Sequence, residues 1–324
     1  MQTMGNVDPH NFKACIDQLL SCAERGCDIF RMTVPDIEAA KVLGEVRRNS
    51  PIPIVADIHF DYKCALAAID AGVDALRINP GNIGSRDRVQ AVARAAKAKG
   101  VPIRIGVNGG SLEKGETLVS SALKHLKLLE DEGFYDVVIS AKASNTQKTI
   151  DTYRELAERT DCPLHLGVTE AGTLIPGTVR SSVALGILLN DGIGDTLRVS
   201  LTSKPEKEVK VGLEILRALG LRPMGPSITS CPTCGRTKVD LMRIASQVED
   251  ALECLATDKA NVGKKFPKVA VMGCAVNGPG EAKDADIALC GGDGEFLLYV
   301  RGEFVERVSE DDAVRKVLEY VVSF

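Results

Sequence analysis

The sequence predicts an α/β protein in two parts: a (β/α)8 TIM-type barrel over residues 1–222, followed by a small α+β domain over residues 227–324. Three observations carry this. Short apolar runs alternate with amphipathic helical patterns, which is the signature of a parallel sheet. The runs end in polar or charged residues, as they do where a barrel builds its site at the carboxyl ends of its strands. The alternation stops at Leu221-Arg-Pro-Met-Gly-Pro226. A chain of 324 residues also exceeds the roughly 250–300 at which single cores stop growing.

The strand runs are Asp28–Pro35, Pro53–Phe60, Ala75–Pro80, Pro102–Asn108, Asp136–Lys142, Pro163–Glu170 and Asp195–Ser200, with a short eighth at Met1–Met4. Between them, apolar residues at i, i+3, i+4 spacing predict helices such as Asp36–Arg48, Asp61–Ala71, Thr117–Glu132 and Glu206–Leu219. Gly26, Gly72, Gly100, Gly133 and Gly220 follow the last helical turns, where a left-handed cap disfavours a side chain. In the second part the pattern gives a helix over Asp240–Ala256, a strand over Lys268–Met272, a hairpin with Phe296–Val300 and Phe304-Val305 flanking Arg301-Gly302, and a last helix over Asp311–Val322.

Composition narrows the partners. A net charge of -4 without a Lys/Arg block gives no electrostatic reason for nucleic acid or an anionic membrane surface as partner. No signal-peptide pattern opens the chain, and no apolar run approaches the roughly 20 residues of a membrane span, so the expected location is cytoplasmic. Ten cysteines lie scattered without a disulfide framework; Cys15, Cys22, Cys27, Cys64 and Cys162 read as packing residues.

Arg31, Arg77, Arg104, Lys142 and Arg198 fall in or at the ends of five different strand runs, with Asn79, Asn108 and Ser200 two to four residues further on. In a barrel most of these side chains converge on one mouth. Five converging cations repel one another unless they face concentrated negative charge, so the expected ligand is a small phosphate or diphosphate. The bland alternative pairs each cation with a local carboxylate such as Asp57, Glu170 or Asp195. There is no P-loop or dinucleotide fingerprint, and Gly106-Val-Asn-Gly109-Gly110 is too weak to serve as one.

In the second part Cys231-Pro-Thr-Cys234-Gly-Arg236 precedes Gly273-Cys274-Ala-Val-Asn277-Gly-Pro-Gly280-Glu281. Two cysteines separated by two residues can face one metal, and a third from a later strand end can join them. The first turn alone favours structural zinc, with Cys290 as a possible fourth thiolate. Two features favour an iron-sulfur cluster instead: a second Cys-X-X-Cys pair is lacking, and the glycine-rich loop offers the backbone N–H groups that stabilise anionic sulfide.

Along almost its full length the chain resembles the family of 4-hydroxy-3-methylbut-2-enyl diphosphate synthases. The resemblance is carried by Val-Ala-Asp-Ile-His-Phe, Leu-Arg-Ile-Asn-Pro-Gly-Asn, Ile-Arg-Ile-Gly-Val-Asn, Leu-His-Leu-Gly-Val-Thr-Glu-Ala-Gly, Asp-Thr-Leu-Arg-Val-Ser-Leu and Gly-Cys-Ala-Val-Asn-Gly-Pro-Gly-Glu, in that order. It implies an α+β iron-sulfur domain whose 4Fe-4S cluster is held by Cys231, Cys234, Cys274 and Glu281. It further implies reductive ring opening of 2-C-methyl-D-erythritol 2,4-cyclodiphosphate in non-mevalonate isoprenoid biosynthesis. By the same resemblance Arg31, Arg77, Arg104, Lys142, Arg198 and Ser200 hold the cyclic diphosphate with Asn79 and Asn108 beside it, and Glu170 and Glu281 are catalytic. The expected partners are a ferredoxin or flavodoxin as electron donor and a second copy of the chain, the cluster domain of one copy capping the barrel of the other. The sequence departs from the family at its start, where Met1-Gln-Thr-Met-Gly-Asn6 replaces the usual first-strand ending after a longer leader. Three other readings stay open: a zinc-stabilised barrel without redox chemistry, which would be colourless; a cluster-dependent dehydratase, which would need no reductant; and a structural or adaptor protein, which would bind no diphosphate.

Overall fold

The computed structural model describes the chain except residues 223–227, 258–260, 262–263 and 277, and except the side chains of residues 80, 111, 257, 279 and 281. It divides into two compact units, residues 1–222 and 223–324. Among the described residues no helix is long and apolar enough to cross a membrane.

Unit 1 alternates strands and helices in chain order: β1 (Gln2–Met4), α1 (Phe12–Glu24), β2 (Ile29–Thr33), α2 (Ile37–Asn49), β3 (Ile54–Asp57), α3 (Tyr62–Asp70), β4 (Ala75–Ile78), α4 (Pro80–Ile83), α5 (Arg86–Lys99), β5 (Ile103–Asn108), α6 (Leu118–Glu130), β6 (Val137–Lys142), α7 (Thr146–Arg159), β7 (His165–Leu166), α8 (Leu174–Asn190), β8 (Thr196–Leu197) and α9 (Pro205–Ala218). β1 to β6 form one parallel sheet in sequence order, and β7 pairs with β8, also in parallel. The result is TIM-barrel-like. The helices start where short polar side chains accept orphan N–H groups: Asn11 from Ala14, Asp36 from Ala39, Asn145 from Lys148. All five glycines expected after the helices have positive φ.

Unit 2 is a five-stranded sheet in the order β13-β12-β11-β10-β9. Its elements are β9 (Ile228–Ser230), α10 (Leu241–Thr257), β10 (Val269–Met272), a single turn α11 (Gly278–Glu281), β11 (Ile287–Gly291), β12 (Glu295–Val300), β13 (Glu303–Ser309) and α12 (Ala313–Ser323). Arg301 and Gly302 both take positive φ between β12 and β13, the geometry that twist-matched two-residue hairpins require. Two strands were not anticipated from the sequence. β9 is only three residues long, and β11 is buried at all five positions, so it lacks the alternation that marks a half-exposed strand.

β7 and β8 are shorter than the runs Pro163–Glu170 and Asp195–Ser200 suggested. Beyond Leu166 the backbone leaves the ladder to seat other groups: a Cβ on Gly167 would lie 2.5 Å from Lys142 Nζ and 2.6 Å from the Arg198 carbonyl. Side chains hold the weak seams. Only one bridge, Ile139 to Leu164, joins β6 to β7 among the described residues. Beside it the buried Tyr153 hydroxyl of α7 accepts from Ala141 N–H at 3.2 Å and donates to the His165 carbonyl at 2.6 Å. Between β8 and β1, buried Glu208 of α9 accepts from Thr3 Oγ1 at 2.7 Å and from Leu201 N–H at 3.0 Å. Removing a partner of a buried hydrogen bond costs about 1–3 kcal/mol. Tyr153→Phe should therefore lower the stability of unit 1 by about that amount in chemical denaturation; an unchanged midpoint would show that the seam does not depend on the hydroxyl.

Candidate active site

Three of the five cations pair with two buried carboxylates inside unit 1. Asp57 ends β3 and stands in register with Arg77 of β4, which in turn stands opposite Arg104 of β5. Asp57 is 1% exposed; its Oδ1 lies 3.2 Å from Arg77 Nη1 and its Oδ2 3.7 Å from Arg31 Nη2. Burial alone would raise its pKa, but Arg31, Arg77, His59 and Arg104 outweigh burial and hold the carboxylate below its usual range. Arg77 also donates to the Gly106 carbonyl at 3.1 Å, and Gly106 must be glycine, because a Cβ there would lie 2.1 Å from Arg77 Nε. Arg198 grips Glu208 with two bonds, Nε at 3.2 Å and Nη2 at 3.1 Å.

The remaining two cations lack such partners. Arg104 is buried below the strand end and donates to Gln2 Oε1 at 2.6 Å, while its Nη2, Gln2 Nε2 and His165 Nε2 have no hydrogen-bond partner among the described residues. Lys142 ends β6 and forms no ion pair among them. Burial, then Arg198, Arg31, Arg104 and Arg77, push its ammonium pKa well down. Two carboxylates thus answer five cations, and the interior is electrostatically prepared for an anion.

The other expected residues divide. Asn79 is 3% exposed and caps α4, accepting from Gly81 N–H at 3.2 Å. Asn108 ends β5 in register with Lys142. Ser200 is half-buried in the segment between Arg198 and the Leu201 N–H that Glu208 holds. Glu170 is exposed and lines a cavity with Asn145, Gln147, Arg180 and Val183 rather than joining the ion pairs of the barrel interior. Its φ of 52° is left-handed, a strained state for a non-glycine residue that tends to collect at functional sites. Asp195, a candidate counter-charge, instead accepts from Leu164 N–H at 2.8 Å. Glu208, Gln2 and His165 carried no sequence signal: an acid within a charged helix and two polar residues in short apolar runs look unremarkable until the barrel turns them inward.

In unit 2, Cys231 follows β9 and Cys274 follows β10, which are adjacent parallel strands paired at Ser230 and Val271. Both cysteines thus leave the same edge of the sheet. Gly273 N–H donates to Cys231 Sγ at 3.2 Å, and Thr233, between Cys231 and Cys234, is held at φ 67°, rare for a β-branched residue. Glu281 ends α11, and its side chain lies outside the described residues, as does Asn277. No group of three or more His, Cys, Asp or Glu side chains is close enough to hold a metal ion among the described residues. The donor set nonetheless suits an iron-sulfur group chemically: thiols at neighbouring strand ends, with a backbone N–H already directed at one sulfur. Cys290 is fully buried on β11 beneath Gly278, whose Cβ would lie 2.9 Å from its sulfur.

Breaking a buried ion pair from one side costs about 3–5 kcal/mol, so Asp57→Asn should destabilise unit 1 by about that much. The lowered pKa of Asp57 fixes the sign with pH: its contribution is complete above the ordinary value of 3.8 and is lost as pH falls through the depressed one. Thermal melts between pH 6 and 3 should show the wild type falling below about pH 4 and the variant falling less; parallel curves would exclude Asp57 as the counter-charge.

Comparison with known proteins accounts for both units. A family model described as the GcpE TIM-barrel domain matches residues 1–213, and one described as the GcpE protein C-terminal domain matches residues 227–323. The chain is 53% identical to the 4-hydroxy-3-methylbut-2-en-1-yl diphosphate synthase (flavodoxin) of Clostridium acetobutylicum, over 99% of this chain and 93% of that protein. It is 52% identical to the enzyme of the same name from Geobacter sulfurreducens, over 96% of this chain and 89% of that protein. Among solved structures, Yersinia pestis dihydropteroate synthase overlays 68% of this chain and 92% of its own with a TM-score of 0.51 at 14% identity, a likeness of barrel fold alone. With both units matched in order and half the residues identical across nearly the whole length, the chain belongs to the GcpE family.

Proposed function

We propose that this chain is an iron-sulfur oxidoreductase that opens the ring of 2-C-methyl-D-erythritol 2,4-cyclodiphosphate by two-electron reduction, giving 4-hydroxy-3-methylbut-2-enyl diphosphate for isoprenoid synthesis. The observation that carries the reading is the imbalance inside the barrel, where five cations meet two carboxylates. Arg31, Arg77, Arg104, Lys142, Arg198 and Ser200 hold the two phosphates, with Asn79 and Asn108 beside them. As the bond from carbon to phosphate oxygen breaks, negative charge grows on the leaving phosphate, and cations already fixed by Asp57 and Glu208 stabilise it without reorganising. Glu170, exposed on its strained backbone, handles protons at the mouth.

Cys231, Cys234, Cys274 and Glu281 hold a 4Fe-4S cluster, which when bound supplies electrons one at a time. The donor that recharges it is a flavodoxin, the partner named for the relatives from Clostridium acetobutylicum and Geobacter sulfurreducens, with a ferredoxin as the chemical equivalent. Substrate site and cluster lie on different units, and we propose that the cluster domain of one protomer caps the barrel of its partner in a homodimer. Arg222, the last residue of unit 1, pairs with Asp28 just ahead of β2, at the foot of its own barrel.

Two experiments test this. Anaerobic purification should give a brown protein with about four iron and four sulfide per chain, and Cys231→Ser should lose most of both; a colourless, zinc-containing wild type would overturn the cofactor. Mixing Cys231→Ala subunits with Arg77→Ala subunits should restore about a quarter of wild-type turnover, since about half of the dimers are then mixed and each has one intact site. No recovery, with mixed dimers present, would contradict capping in trans.

A further inference from the structure

Met4 ends β1 in register with Arg31 of β2. Its side chain turns to the same face of the strand as Gln2, two residues earlier, whose amide oxygen answers Arg104 inside the barrel. There the Met4 sulfur lies 3.1 Å from Arg31 Nε, 2.8 Å from Arg31 Nη2 and 3.6 Å from Arg198 Nη1. One thioether thus receives N–H donors from two guanidinium groups, one carried by β2 and the other directly after β8. The same two groups also meet carboxylates: Arg31 Nη2 lies 3.7 Å from Asp57, and Arg198 holds Glu208 through Nε and Nη2. Asp57, Arg31, Met4, Arg198 and Glu208 therefore form a continuous line of contacts, with an uncharged atom at its centre.

The centre is the labile part of that line. Burial, then the like charges of Arg198 and Arg77, lower the Arg31 pKa to about 10 against the pull of Asp57. A thioether sulfur is only a weak acceptor, on a flexible side chain that adapts to its surroundings. It gives the two guanidinium groups a common resting point and leaves their charge intact. A carboxylate in its place would add counter-charge and compete with an incoming anion.

We infer that Met4 is a positioning residue of the anion site, its sulfur holding Arg31 and Arg198 side by side until a phosphate oxygen takes its place. The exchange is favourable, because phosphate oxygens are charged, strong acceptors that match the guanidinium fork, and the thioether is neither. Asp57 and Glu208 keep their hold during it, so each guanidinium trades one partner and stays where it is. The two forks are ordered before ligand arrives, which lowers the cost of binding. The inference deepens the proposed function and rests on its assignment of Arg31 and Arg198 to the two phosphates. A methionine in a short apolar run reads as packing, and its contacts to guanidinium nitrogens exist only in the folded barrel.

Calorimetric titration of the holoprotein with inorganic diphosphate, alongside steady-state turnover of the cyclic diphosphate, tests it. Met4→Leu keeps the volume and removes the acceptor. Diphosphate should then bind about tenfold more weakly, and KM should rise by a similar factor with a smaller change in kcat. Met4→Glu sets a carboxylate between the two guanidinium groups. Diphosphate affinity should fall by at least about a hundredfold while the melting temperature stays at or above that of the wild type, since the new charge answers cations that were short of one. A residue that merely packs predicts the reverse: Met4→Leu indistinguishable from wild type, and Met4→Glu losing stability and binding together. Either result, or a wild type that fails to bind diphosphate, would overturn the inference. Wild-type protein that bound inorganic diphosphate but left the cyclic diphosphate unconverted would count against the proposed reaction alone, and the affinities of the variants would still decide the role of Met4.

Discussion

The buried carboxylate of Asp57 is the interaction on which the barrel interior depends. It sits between Arg31 and Arg77 at a strand end, almost without solvent. Buried cations are tolerated only when charge or hydrogen bonds answer them. Asp57 fixes two guanidinium groups and Glu208 a third, and Gln2 offers Arg104 a neutral amide. Lys142 is left with no carboxylate among the described residues. This economy of counter-charge gives the interior two properties at once: it is held in one geometry before ligand arrives, and it still carries positive charge to bind one.

The same residues connect fold to site. Glu208 ties β1, the segment after β8 and Arg198 together, so the closure of the barrel and the placement of a cation are one set of bonds. Gly106 and Gly167 leave room for Arg77 and Lys142 where any Cβ would intrude. Apart from the hairpin residue Arg301, the described non-glycine residues with left-handed backbone are Glu170 and Thr233, which lie at the mouth of one unit and in the cysteine turn of the other. Backbone strain of this kind costs about 1–3 kcal/mol per residue and persists where surrounding structure holds it.

Much of this was legible in the chain. The strand-helix alternation, the glycines after the helices and the cations terminating strand runs all follow from local chemistry and periodicity. What was not legible depended on tertiary contact. Glu208 reads as an ordinary helix acid until α9 lies against β1, and β11 reads as a featureless apolar run because both its faces are covered. β7 and β8 were over-extended because their apolar continuations leave the ladder to make room for Lys142. The iron ligands and the substrate proposed here came from resemblance to a family, since spacing alone left zinc open as an alternative.

The most direct test of the account is a single-turnover experiment under anaerobic conditions, with cluster-loaded protein, the cyclic diphosphate and a measured supply of electrons. The account predicts one linear diphosphate formed for every two electrons consumed, and none without reductant. Conversion without reductant would mark a dehydratase, and no conversion despite bound substrate and an intact cluster would contradict the assignment of this chemistry to the chain.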